Sequence, residues 1–248
     1  MFANKFFFLL LLSVSIPACV AAQIESANIH FMQDVLFHTE YQVTPDRYCK
    51  QWATAPKLSV FGSQSRHPRV VENVVKQLNS CLPSDKQIQI LRPESGDATL
   101  KLYFVKHSEM RGLAEQNEFQ FETENWGYFY NWWNNKYEIE RAMVMIAENK
   151  ISGNRLHHFV LEEVTQSLGF PGDSHRFPDS VFYEDRDKRE YGKATKLSKQ
   201  DSALIRFHYR YNKIGDIPIQ VGLNLAKYLQ ESGSSPRNSD QRPGRPRR

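Results

Sequence analysis

Between Arg155 and Ser174 the chain reads RLHHFVLEEVTQSLGFPGDS, and three polar residues in it, His158, Glu162 and Gln166, stand four apart. Successive i,i+4 steps turn an α-helix by only about 40°, so the three share one face. Imidazole, carboxylate and amide gathered on one face are groups that can hold a cation or position a proton. A second row, Leu156, Val160, Val164 and Leu168, gives the same helix an apolar underside. Asn154 is a candidate N-cap, Gly169 is placed to end the helix in the left-handed conformation, and Pro171 stops it resuming. The expected element is the floor of a polar cleft. The plainer alternative for His157 and His158 is packing or hydrogen bonding, with no ligand involved.

The elements that must position this helix are legible at coarse grain. Phe31, Val35 and Leu36 suggest a helix leading into a short strand at FHTEYQ. KLSVF (57–61) reads as a strand ended by Gly62, and Val70, Val71, Val74, Val75 and Leu78 recur at helical spacing. QIQIL (87–91) and TLKLYFV (99–105) alternate as strands around the turn signal 94–97. RAMVMIA (141–147) is continuously apolar, as in a central strand. Downstream, Ser198 and Asp201 form a capping box for a helix that buries Ala203, Leu204, Phe207 and Tyr211, and a last helix is expected over 221–229. Strands and helices interleaved in this order give an α/β layer arrangement.

Met1 to Ala22 reads as a signal peptide, with Lys5 as its positive region, an apolar run over 6–16 and small residues before Gln23. Export to a periplasmic or extracellular space follows, with no membrane span after cleavage. A lipoprotein anchor at Cys19 ranks second, because Pro17 fits such a box poorly. In an oxidising compartment the remaining pair, Cys49 and Cys81, is expected to form a disulfide; the alternative is two separate buried thiols. The net charge of +4 belongs to the tail after Ser232, where five arginines face Asp240. That tail, 232–248, is expected to be disordered, leaving one near-neutral domain over 23–231 with no nucleic-acid-binding face. Within it, 106–137 reads as a long insertion carrying Trp126, Trp132 and Trp133 among seven aromatics. Those rings either cover the insertion itself or present a binding surface to a ligand.

The segment Glu162 to Phe170 (EEVTQSLGF) resembles the H-E-x-x-H-x-x-G helix of metzincin zinc proteases. Ser180-Val181-Phe182-Tyr183 is similar to their Met-turn, with Phe182 in the methionine place, and Leu197, Ser198, Asp201, Ile205 and Tyr209 match the matrixin C-terminal helix. The chain also resembles an uncharacterised family of bacterial exported proteins, some labelled predicted zinc-dependent proteases, with an E-E-x-T-Q-x-L-G-L-x-N-D-S core followed by S-I-F. The resemblance implies a zincin-like α/β (α+β) fold: a small twisted mixed sheet, an N-terminal helix, an active-site-type helix and a C-terminal helix. It also implies a general-base position at Glu163. The metal positions fall on Glu162 and Gln166. The third falls on Gly172 by strict spacing, or on Asp173 with one residue inserted.

Those departures change the chemistry. A hydrolytic zinc site wants three good ligands and an open position for water, and a neutral amide ligates zinc poorly. Glu, amide and Asp oxygens suit a harder ion such as calcium. Three readings stand: a protease-like scaffold, impaired or inactive, that binds a peptide or protein in its cleft; a metal-dependent peptidase in which His158, Glu162 and Asp173 hold zinc or calcium while Glu163 activates water; or a structural or inhibitory module.

Overall fold

The computed structural model describes residues 18–38, 47–62, 67–92, 96–122, 124–188 and 190–233. The strand expected at FHTEYQ is corrected at its start, where Phe37 closes the first helix and His38 follows outside any strand; its other residues, with most of the expected signal peptide and basic tail, lie outside the described residues.

Six strands make the main sheet: β1 (Gln51–Trp52), β2 (Lys57–Gly62), β3 (Gln89–Ile90), β4 (Leu100–Val105), β5 (Gly127–Trp133) and β6 (Glu138–Ala147). β1 runs parallel to the first two residues of β6, β4 runs parallel to its last six, and β2 and β3 follow in parallel beyond β4. β5 is antiparallel, lying along the other side of β6 from Gly127↔Ile146 to Trp133↔Ile139. The architecture is the expected mixed α/β one.

Period-2 alternation splits β6 between two cores. Ala142, Val144 and Ile146 face the larger one, with Leu58, Leu100, Leu102 and Phe104. Over that face pack α1 (Ala18–Phe37), α2 (Pro68–Asn79), α4 (Gly153–Gln166), α5 (Lys199–Tyr211) and α6 (Pro218–Gly233). Their buried rows include Val35 and Leu36, Val74 and Leu78, Val160 and Val164, and Leu204 and Phe207. Met143, Met145 and Ala147 face the smaller core on the opposite side.

This second core corrects the expectation of a loop insertion over 106–137. The segment holds α3 (His107–Gln116) and β5. Met110 and Ala114 of α3 pack on the sheet, while Asn149 Oδ1 accepts from the His107 N–H and Glu109 accepts from the Lys106 N–H, satisfying the helix start. Gly112 inside a ten-residue helix weakens its sequence signal. The crowded aromatics alternate to cover the sheet, Tyr128, Tyr130 and Trp132 turning toward Phe119.

The expected disulfide is also corrected. Cys49 and Cys81 are both buried free thiols. Cys49 is bonded through its backbone to Gly215 and Asp216 before β1, whereas Cys81 follows α2 with its sulfur beside Ser80 Oγ at 3.7 Å. Burial, then the Asp216 carboxylate, pushes the Cys49 thiol well above its ordinary range. Among the described residues no helix is long and apolar enough to cross a membrane.

Candidate binding cleft

α4 forms as the apolar row requires, with Leu156, Val160, Val164 and Leu168 all buried. Its start differs from the expectation. Ser152 takes the N-cap place in extended conformation, so Asn154 falls inside the first turn. Its end matches: Gly169 has φ +104°, and a Cβ there would overlap the Lys50 carbonyl.

The polar face of α4 looks into a cleft of about 680 Å³. His158, Glu162, Glu163 and Gln166 line it from α4 and Asp173 from the loop beyond, so the structure brings the expected site residues to one place. They do not converge as a metal set. The Nδ1 of His158 lies 2.9 Å from the Ala194 carbonyl, which can only accept, so Nδ1 carries the proton. Its Nε2 then faces Glu162 Oε2 at 3.4 Å. Burial is the main cause holding the His158 pKa below its ordinary value. Gln166, in the place of the second metal ligand, donates its Nε2–H to Asp173 Oδ1 at 3.0 Å. The four residues therefore sort into two pairs. Among the described residues no three His, Cys, Asp or Glu side chains stand where they could hold a metal ion. This donor set does not fit a hydrolytic zinc.

Glu163, only 5% exposed, lies against the start of β5. A Cβ on Gly127, the first residue of β5, would overlap its carboxylate and the Phe159 ring. Glycine is required here by close approach, as it is at Gly192, where a Cβ would strike the His158 ring. Sequence reasoning missed both glycines, since nothing local marks a position crowded by another element.

The turn after α4 supports the cleft from below. Asp34 on α1 accepts from Ser174 Oγ at 2.8 Å and Arg176 Nε at 2.9 Å, and the Ser174 N–H donates to the Phe182 carbonyl. Phe182 is fully buried against Phe31 and Phe170. Ser180 Oγ donates to Asp201 Oδ1 at 2.6 Å, and the other carboxylate oxygen accepts from the Val181 and Ser198 backbones. The Ser198–Asp201 capping box is thus present, and its acid also anchors the turn. Tyr183 reaches the cleft wall and donates to Glu190 Oε2 on the β7–β8 hairpin (Glu184–Asp185 and Glu190–Tyr191).

Of the three tryptophans expected as a binding surface, only Trp126 lines the cleft, with Arg155 stacked 4.4 Å over its ring. Trp132 lies under Arg141 against the smaller core, and Trp133, 42% exposed, faces the Lys50 ammonium at 4.1 Å. Trp133 is six residues along β5 from Gly127, roughly 20 Å at a strand's rise.

A family model described as "Protein of unknown function (DUF2927)" matches residues 25–215. The chain belongs to the DUF2927 family. The match spans the chain from α1 through α5, so the cleft lies wholly inside the DUF2927 region. No curated protein matches. Among solved structures, two of myroilysin are similar: one at 11% identity with TM-score 0.41 over 66% of this chain and 83% of that one, the other at 10% and 0.40 over 65% and 86%. Likeness that slight carries no catalytic residue from one chain to the other.

Proposed function

We propose that this DUF2927 protein is a zincin-like ligand-binding protein, catalytically impaired or inactive as a protease, which holds a peptide or protein segment in the α4 cleft. One observation carries this reading: Gln166, in the place of the second metal ligand, is an amide bonded to Asp173, the candidate third. A large cleft remains, walled by Trp126, Phe159 and Tyr183 and floored by polar groups, the composition of a recognition site. Glu163 in this reading contributes a buried carboxylate to binding. The signal-peptide pattern of Met1 to Ala22 supports an exported protein, which a mature chain beginning near Gln23 by mass spectrometry would bear out.

The test is incubation of the purified protein with an unstructured polypeptide, with zinc and with calcium, beside Glu163→Gln. The substrate is expected to stay intact in every case. Cleavage that disappears in Glu163→Gln would replace this reading with the metal-dependent peptidase.

A further inference from the structure

Resting on the peptide-binding reading, we propose that the cleft is specific for an arginine-bearing segment, seating a guanidinium between the carboxylates of the α4 face and the aromatic wall. The lining includes six carboxylates, from Glu122, Glu124, Glu162, Glu163, Asp173 and Glu184, against the guanidiniums of Arg155 and Arg186, a formal −4. Glu163 lies at the buried end, where attraction to a cation is least screened by solvent. Glu122 and Glu124 stand exposed and face the approach.

The walls favour guanidinium over ammonium. Arg155 already sets its guanidinium over them, 4.4 Å from the Trp126 centroid and 5.9 Å from that of Phe159. Tyr191, 57% exposed, adds another ring to the lining. A planar cation that stacks on rings and bonds carboxylates in bidentate fashion uses both kinds of lining group, whereas a lysine ammonium uses chiefly the charge. The volume, about 680 Å³, takes several residues of chain.

Such a segment exists in the chain itself. Residues 234–248 carry Arg237, Arg242, Arg245, Arg247 and Arg248 against a single acid, Asp240. They follow the end of α6, and fifteen extended residues span about 50 Å, comparable to the width of a domain this size. An arginine-rich segment of another protein offers the same chemistry, and the two sources are separable.

The experiment uses the full chain and a full-length variant with those five arginines changed to glutamine. Each is titrated, by fluorescence anisotropy, with labelled peptides of sequence 234–248 carrying arginine, lysine or glutamine at the five positions. Binding is expected in the order arginine, lysine, glutamine, with the first two weakening as salt rises. Glu162→Gln should weaken the arginine peptide about tenfold, the loss of a charge-assisted hydrogen bond. Glu122→Gln with Glu124→Gln, exposed positions that leave the fold alone, should lower its association rate. Tighter binding by the tail variant than by the native chain identifies the tail as the native occupant; equal binding assigns the cleft to another protein's segment. Equal affinity for arginine and glutamine peptides, or no effect of either carboxylate variant, overturns the arginine assignment while leaving a peptide cleft. No binding of any peptide overturns the cleft reading itself.

Discussion

Gly127 and Glu163 show how tightly single residues define the cleft. The carboxylate occupies the space a side chain on Gly127 would need, so Gly127→Ala must displace Glu163 or the strand. The expected cost is about 1–3 kcal/mol, or roughly 2–10 °C in melting temperature, which differential scanning fluorimetry would read. His208 makes a second residue-scale prediction. It is fully buried, with Nε2 3.1 Å from the Lys50 carbonyl and its ring against Phe170, and burial holds its pKa at about 4. Between that value and the ordinary 6.5 the unfolded chain takes a proton that the folded chain refuses. Stability is therefore complete above about pH 6.5 and declines as pH falls toward 4, by up to about 3 kcal/mol. Urea denaturation across this range should show the decline in the native chain and a flatter profile in His208→Gln.

At the scale of elements, the decisive tie is between α5 and the turn at 180–183. Asp201 caps its own helix and holds Ser180 and Val181 with the same carboxylate. Its removal strands buried donors on both elements, so Asp201→Ala should cost about 3–5 kcal/mol by urea denaturation, far more than the loss of a cap alone. The capping box was legible because it is written in residues three apart, and the α4 row and the Gly169 stop were legible for the same reason. The second bond of Asp201, to a turn about twenty residues upstream, was not. α3 was hidden by Gly112, and β5 by a run of rings whose alternation shows only once β6 is beside it. The cysteines misled because an even count, in a chain read from its first residues as exported, says nothing of distance. Cys49 and Cys81 should both alkylate without reductant once the chain is unfolded in denaturant, and resist alkylation while folded.

Taken as a whole, the molecule places its site where a mostly parallel sheet ends in an antiparallel edge strand and one amphipathic helix crosses behind it. The scaffold holds six carboxylates and an aromatic wall around a cleft, and bonds two residues in metal-ligand places, Gln166 and Asp173, to each other. Spacing brought His158, Glu162 and Gln166 into consideration together, and the metzincin resemblance added Glu163 and Asp173. The Ala194 carbonyl beside His158 and Gly127 beside Glu163 come from other elements, which spacing along one helix cannot reveal. The most direct test is the zinc content of the protein, purified without chelator, dialysed against zinc and then desalted, measured by inductively coupled plasma mass spectrometry beside His158→Ala and Glu162→Gln. The account predicts no stoichiometric zinc and no difference among the three chains. One retained zinc per native chain, lost in both variants, would contradict it.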